Sequence, residues 1–332
     1  MKVFNNGKKS LLQKFVIFFF CVIFFLSGFG IQEAYCGADE GEGSTKHVLY
    51  IGSYSDGFLN ASSELLELRE FVEGIPAELD AEFLESDRFE RETNERSFFE
   101  RLKFKIDNSY RYDAVVLSGD EALYFVQQYY GQLFGDTPIF FYNVNNSEKV
   151  NSAEKNPYFQ GIHNAYSVYQ NITIAAGLNR NLRRIVAVTD DTMYGFSIRE
   201  EFERLQEEFP NIRFSLINAG NYTTAEIAAN LSKLSADDSA VFYFGMHKSR
   251  EGYEDIEQFK TIAEKSGAPV YTISESLVGF GAIGGYVVST HDTVKRIVEA
   301  IKIYLENYQI AEVKIDKDVS SYYYFDKEVD RK

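Results

Sequence analysis

"RRIVAVTDDTMYGFSIREEF" (residues 183–202) is an apolar run that stops at two carboxylates, Asp190 and Asp191. A hydroxyl, a phenol and a glycine follow (Thr192, Tyr194, Gly195), and then an amphipathic stretch begins. The apolar period changes from that of a buried strand to that of a helix across these few residues. Two acids at the end of a buried strand could hold a metal, accept a phosphoryl group, carry out acid–base chemistry or meet a ligand in a cleft.

The same strand-then-helix unit recurs on both sides. Upstream, "HVLYIGSYS" (47–55) precedes a helix with Leu65, Leu68 and Val72 at helical spacing, and "AELDAEFLES" (77–86) alternates as a second strand. "YDAVVLSGDEALYFVQQYYGQLFG" supplies a third strand and helix, with Ser118 and Glu121 spaced as a capping box, and "TPIFFYNVNN" (137–146) a fourth strand. The cycle restarts with "YFQGIHN" and a helix near 167–178. Downstream of residue 202 come "IRFSLI", a helix whose Thr223 and Glu226 form a second capping box, "AVFYFG", "PVYTIS", "GGYVVS" and a closing helix. Strands alternating with helices of about 10–15 residues imply parallel sheets covered on both faces, here two doubly wound α/β lobes. Such sheets take ligands at the carboxyl ends of their strands. Those ends read Ser53, Tyr54 and Ser55; Ser118, Gly119 and Asp120; Asn143, Asn145 and Asn146; Asp190 to Tyr194; Gly245; and Ser274. Each alone reads as a helix cap, but together they define a polar rim around a cleft.

The N-terminus is a separate matter. Lys2, Lys8, Lys9 and Lys14 precede the 17-residue apolar run Phe15–Ile31, the pattern of a secretory signal cleaved near residues 36–38. The alternative is an uncleaved anchor, for which 17 residues is at the short edge. Either way the remainder is exported, to the periplasm or the cell surface. The only cysteines are Cys21 and Cys36, which excludes disulfides, Cys-ligated zinc and thiol catalysis from the body. Without residues 1–36, which hold four Lys and one Glu, the net charge of −16 becomes −19. That disfavours nucleic acid and anionic membrane as partners.

Most catalytic and cofactor readings lack their residues. A phosphoacceptor domain would need a further Asp after its third strand, and "LINAGN", "YFGMHK" and "TISES" offer none. His47, His163, His247 and His291 are scattered singly, as surface or cap histidines, so no metal is expected. "GFGAIG" (279–284) has dinucleotide spacing but precedes a strand, and reads as a flexible crossover or a close approach of backbone to ligand. There is no G-x-S-x-G elbow or P-loop. No cofactor and no enzyme activity are expected. Sequons occur at Asn60, Asn171, Asn221 and Asn230.

Several segments resemble the periplasmic-binding-protein-like type I family called ABC transporter substrate-binding, also used as the extracytoplasmic sensor of bacterial signalling proteins. They are "ELDAEFLESDRF", "YDAVVLSGDEALYFV", "LFGDTPIFFYNVNN", "FQGIHNAYSVYQNITIAAGLNRNLRRIVAVTDDTMYG", "PVYTISESLVGFGAIGGYVVS" and "YYYFDKE", together spanning about 47–330. The resemblance implies two lobes around an interlobe cleft, crossed three times by the chain. Lobe one would hold 47–146 plus 285–308, and lobe two 157–280 plus 309–328, after a signal peptide or anchor at 1–38. Positions matching the family's ligand loops are Ser53, Tyr54, Ser118, Asp120, Asn143, Asn145, Asp190, Thr192, Tyr194 and Ser274. One of Asp190 and Asp191 would cap the next helix, leaving the other free for the ligand. Tyr54, Tyr142, Tyr194 and Phe244 near the rim suggest a planar or amino-acid-like small molecule, although strand alternation argues for Phe244 as core. The implied function is solute capture and delivery to a membrane permease. The alternative is ligand sensing, which requires a separate signalling partner or a longer chain.

Overall fold

A computed structural model describes residues 45–57, 61–109, 111–164, 168–247, 249–252, 256–309, 315–317 and 321–327. The expected signal or anchor at 1–38 and the sequon at Asn60 lie outside the described residues. The strands in chain order are β1 (Lys46–Gly52), β2 (Ala77–Phe83), β3 (Ala114–Ser118), β4 (Ile139–Val144), β5 (Phe159–His163), β6 (Arg184–Thr189), β7 (Arg213–Asn218), β8 (Ser239–Tyr243), β9 (Val270–Thr272), β10 (Gly284–Val288), β11 (Ile315–Asp316) and β12 (Ser321–Phe325). The helices are α1 (Ala61–Val72), α2 (Arg91–Asp107), α3 (Asp120–Leu133), α4 (Ser147–Glu154), α5 (Val168–Leu178), α6 (Met193–Leu205), α7 (Thr224–Leu231), α8 (Ile256–Lys265) and α9 (Thr290–Asn307).

The first sheet has the order β11-β5-β4-β3-β1-β2 and is parallel throughout. The second has the order β12-β10-β9-β8-β6-β7, with β12 its one antiparallel member. In each, the first strand in chain order is flanked by the second on one side and the third on the other, so the direction of winding reverses there. The apolar runs of the sequence arise because both faces are covered. Leu49, Ile51, Val115, Leu117 and Phe141 face one side with Phe98 of α2 and Leu123 and Val126 of α3. Val48, Tyr50, Val116 and Phe140 face the other with Leu68 of α1 and Val294, Ile297 and Ile301 of α9. Sheet two divides in the same way, Val186, Val188 and Val241 on one face and Ile185, Ala187 and Phe242 on the other.

The division of the chain departs from the expected lobe boundaries at three places. β5, expected to open lobe two at 157, belongs to sheet one: it pairs with β4, and Gly161 lets its backbone lie against Phe141 where any Cβ would collide with that ring. β10, expected in lobe one from 285, pairs with β9 and β12 in sheet two. The tail 309–328 splits, β11 joining β5 of sheet one and β12 joining β10 of sheet two. α9 packs on lobe one as expected. In the run Gly279–Gly284, Gly281 and Gly284 have positive φ; a Cβ at the first would strike Ala263 of α8 and at the second the Tyr324 carbonyl of β12. These glycines allow close packing of backbone on backbone, not the approach of a ligand.

The sequon residue Asn171 is fully buried on α5. Its Oδ1 accepts a hydrogen bond from the Tyr286 N–H (2.9 Å) and its Nδ2 donates to the Tyr286 carbonyl (3.0 Å), clamping α5 to β10. Asn171→Ala leaves both groups of that peptide without the carboxamide and is expected to cost about 2–4 kcal/mol in urea unfolding. A loss below about 0.5 kcal/mol would show that the clamp contributes nothing.

Candidate functional site

The carboxyl ends of both sheets open on one cleft of about 160 Å³. Lobe one contributes the turns after β1, β3 and β4, together with Tyr50 and Glu64; lobe two contributes Tyr194, Phe244, Gly245 and His247, then Ile273 to Glu275. By the same measure a water needs about 10–15 Å³, so the space accommodates a small molecule.

On the lobe-one side the turn geometry follows from Gly119. Its φ of 95° is one that L side chains rarely adopt, and a Cβ there would overlap Ser53. Because Gly119 has no side chain to cap α3, Ser53 does so from the neighbouring turn: its Oγ accepts from the Ala122 N–H (3.0 Å) and donates to the Ser118 carbonyl (2.8 Å). Ser118 is therefore no cap. Its hydroxyl donates to Glu64 Oε2 (3.0 Å), and the capping box expected with Glu121 is not formed. Asp120, the first residue of α3, accepts from the Asn145 and Asn146 N–H groups at Oδ1 (2.9 and 2.8 Å) and pins the turn after β4. Its Oδ2 is buried with no hydrogen-bond partner among the described residues. Asn143 holds a left-handed φ of 55° and its carboxamide reaches Ser118 Oγ and Asn164.

Burial pushes the Glu64 carboxyl up to about 7. Burial, then the adjacent Glu121 charge, pushes Asp120 up to about 7 as well. Burial also raises Glu121, whose Oε1 accepts from the Met193 N–H at the start of α6 (3.0 Å). That bond runs from lobe one to lobe two and sets a carboxylate at a helix N-terminus, where the dipole favours it. A second link joins Asn146 Nδ2 to Ser197 Oγ (3.3 Å).

On the lobe-two side the two acids part company. Asp190 is fully buried beneath the cleft, with Oδ2 3.3 Å from His247 Nδ1 and Oδ1 accepting from the Thr192 N–H (3.0 Å) and hydroxyl (2.5 Å). Burial works to raise its pKa, but the imidazole and the Thr192 bonds together hold it below the ordinary value. Gly195 is required above it, because a Cβ there would overlap the Asp190 carboxylate. Thr192, not either acid, caps α6 by accepting from the Gly195 N–H (3.1 Å). Asp191 faces outward to Arg199 Nη2 (3.1 Å) and Asn218 Nδ2 (2.6 Å). The expectation that one acid caps the helix while the other is free for a ligand is corrected on both counts.

His247, expected as a surface or cap residue, closes the cleft instead. Its ring stacks on Tyr54 of lobe one (centroids 4.5 Å apart, planes 28°) and meets the Tyr194 ring edge-on at the same distance. Tyr194 donates to the Phe244 carbonyl (3.0 Å). Of the expected ligand residues, Ser53, Tyr54, Ser118, Asp120, Asn143, Asn145, Tyr194 and Ser274 line the cavity; Asp190, Asp191 and Thr192 do not. Tyr142 is fully buried in lobe one, away from the lining, whereas Phe244 is buried yet reaches it. Glu64, Asn164, His247 and Glu275 were not expected. His247 had a signal, two residues beyond a strand-end glycine, while Glu64 enters from a helix that the pattern of polar strand ends does not include.

No family model matches the chain, and no curated protein matches it. Solved structures do. The ABC domain of Streptococcus pneumonia in complex with L-Trp superposes with a TM-score of 0.64 at 14% identity, covering 86% of this chain and 93% of that one. A carbohydrate transporter from Acidothermus cellulolyticus in complex with myo-inositol gives 0.62 at 9% identity, covering 86% and 96%. The periplasmic binding protein component of the arabinose ABC transporter from Shewanella sp. ANA-3 gives 0.56 at 10% identity, covering 84% and 92%. The fold is that of the two-lobed periplasmic binding proteins.

Glu64 and Asp120 make stability depend on pH in a defined direction. Both carboxyls hold protons up to about pH 7 when folded, but release them near their ordinary values of 4.5 and 3.8 when unfolded. The native state binds more protons in that window, so these two groups lower stability as pH rises from about 4 to 7, and the loss levels off above it. Glu64→Gln removes one of them and keeps an acceptor for Ser118. Its melting temperature relative to wild type is expected to rise between about pH 5 and pH 7 and then level off; a constant difference across that range would overturn the assignment.

Proposed function

We propose that this chain is an extracytoplasmic solute-binding protein that captures a small molecule between its lobes and delivers it to an ABC importer, without chemical turnover. The observation that supports the reading is the Asp120 carboxyl group: it belongs to a buried residue of the cleft lining and has one oxygen with no hydrogen-bond partner among the described residues. A buried polar atom without a partner is costly, and a ligand that meets it recovers that cost. The likeness to binding proteins solved with tryptophan, inositol and arabinose supports a small-molecule ligand. The paired interlobe bonds at Glu121 and Asn146 are contacts that an opening motion would break and a closing one remake. Export follows from the basic N-terminus and its apolar run. We assign ligand contact to Tyr54, Asp120, Asn143, Asn145, Tyr194 and Ser274, to which Glu64 and His247 are added.

Thermal unfolding of the purified chain against sugars, polyols, amino acids, amines and nucleobases tests capture. A ligand at 100 times its dissociation constant adds about 2.7 kcal/mol, a shift of roughly 5–10 °C for lobes of this size. No shift from any compound would overturn solute capture. Delivery is tested separately, by uptake of the labelled hit in cells with and without the protein; equal uptake would overturn it and leave capture standing.

A further inference from the structure

We propose that the cleft selects a small organic cation, a primary amine or quaternary ammonium that carries no carboxylate, phosphate or sulfate, with Asp120 and Glu64 as counter-charges and the rings of Tyr54, Tyr194 and Phe244 as walls. This deepens the solute-binding reading and rests on it.

The lining is acidic. Glu64, Asp120 and Glu275 face the cavity, Glu121 lies directly behind Asp120, and among the described lining residues the only cationic type is His247, already paired with Asp190. The acids do not neutralise one another, and both Glu64 and Asp120 are almost wholly buried. Glu64 is met by the Ser118 hydroxyl and the Asn143 carboxamide, both neutral donors, with the Glu67 charge nearby; Asp120 is met by two backbone N–H groups on one oxygen and, among the described residues, by no donor on the other. A neutral polyol supplies a hydrogen bond to such an oxygen but leaves the negative charge in place. An ammonium supplies both. An anionic group would add repulsion at a site already short of positive charge.

The walls agree with this. Aromatic faces attract ammonium groups through the ring quadrupole, most strongly where water is excluded. Tyr54, Tyr194 and the imidazole are clustered at 4.5 Å centroid separations over the same cavity. Tyr54 is itself kept protonated by burial and by the charges of Glu121, Asp190 and Asp120, so it faces the ligand as a neutral ring.

Binding such a cation displaces protons from carboxyls that hold them near pH 7, so affinity rises with pH. The groups that face these carboxyls are Glu67, Glu121, Asp190, His247 and the Tyr50, Tyr54 and Tyr142 phenols. A protonated imidazole at His247 would repel the cation, so its loss of a proton acts in the same direction.

The experiment uses charge-matched sets on the full chain, read by calorimetry and thermal shift. One set is tryptamine, tryptophol, tryptophan and indole-3-propionate; another is cadaverine, 1,5-pentanediol and glutarate; choline and inositol complete the panel. The expected order within at least one set is cation first, anion last, with the best cation bound more tightly at pH 7.5 than at pH 5.5. Asp120→Asn, which keeps the Oδ1 acceptor, and Glu64→Gln are each expected to weaken that cation by at least about tenfold, with circular dichroism confirming that both remain folded. If inositol, a zwitterion or an anion binds most tightly, this inference falls while solute capture stands. If nothing binds, both fall. Cation binding unchanged in both variants also overturns it.

Discussion

A parallel sheet buried on both faces has few places for polar chemistry. Its faces belong to helices, and its backbone groups are used in the ladder, so only the strand ends are left. In this chain two such sheets present those ends to one another. The switch points, where the chain reverses its direction of winding, lie at β1/β3 and at β6/β8. The first is fixed by Ser53, whose backbone and hydroxyl both engage the Ser118 carbonyl. The second is fixed by the Phe244 N–H on the Val188 carbonyl (3.1 Å). From these two crossings the cleft obtains its walls.

The same constraint explains why residues of one type take different parts. Asp120, Asp190 and Asp191 all follow buried strands. Asp120 is in the first turn of a helix whose cap is glycine, so its carboxylate turns to the neighbouring loop and keeps one oxygen for the cavity. Asp190 lies three residues earlier relative to its helix, two before the cap Thr192, and is drawn under His247. Asp191 is carried outward by the same turn to the half-buried Arg199. A shift of two or three residues against the helix start decides between cavity, support and surface.

Much of the fold was legible because apolar runs and helical stripes are local signals. The strand-helix alternation and the Thr223–Glu226 capping box come from residues that touch their sequence neighbours. What escaped is non-local or weakly patterned. α2 was missed because only Phe98 and Leu102 on it are buried and most of the rest is polar or charged, so no stripe stands out. Assigning β5 and β10 to the wrong lobes followed from the family resemblance, whereas their partners are chosen by fit: Gly161 against Phe141, and Asn171 holding Tyr286. Eight of the eleven expected site residues line the cleft because strand ends are readable from sequence. Glu64 and His247 were not, since their roles exist only once two lobes face each other.

The acid excess of the cleft is not simply that of the whole chain, because an exposed carboxylate is solvated and screened while a buried one is not. The surface acids of this protein are largely paired or wet, as at Asp191, and cost little. Glu64 and Asp120 are held in a cavity that has no compensating cation among the described residues, and they keep their protons to about pH 7 as a result. A fold selected for stability alone would replace them with amides, which keep the hydrogen bonds to Ser118 and to the Asn145 and Asn146 N–H groups without the charge. The carboxylates therefore make sense as groups held at a cost in the empty protein so that their charge is available to whatever enters the cleft.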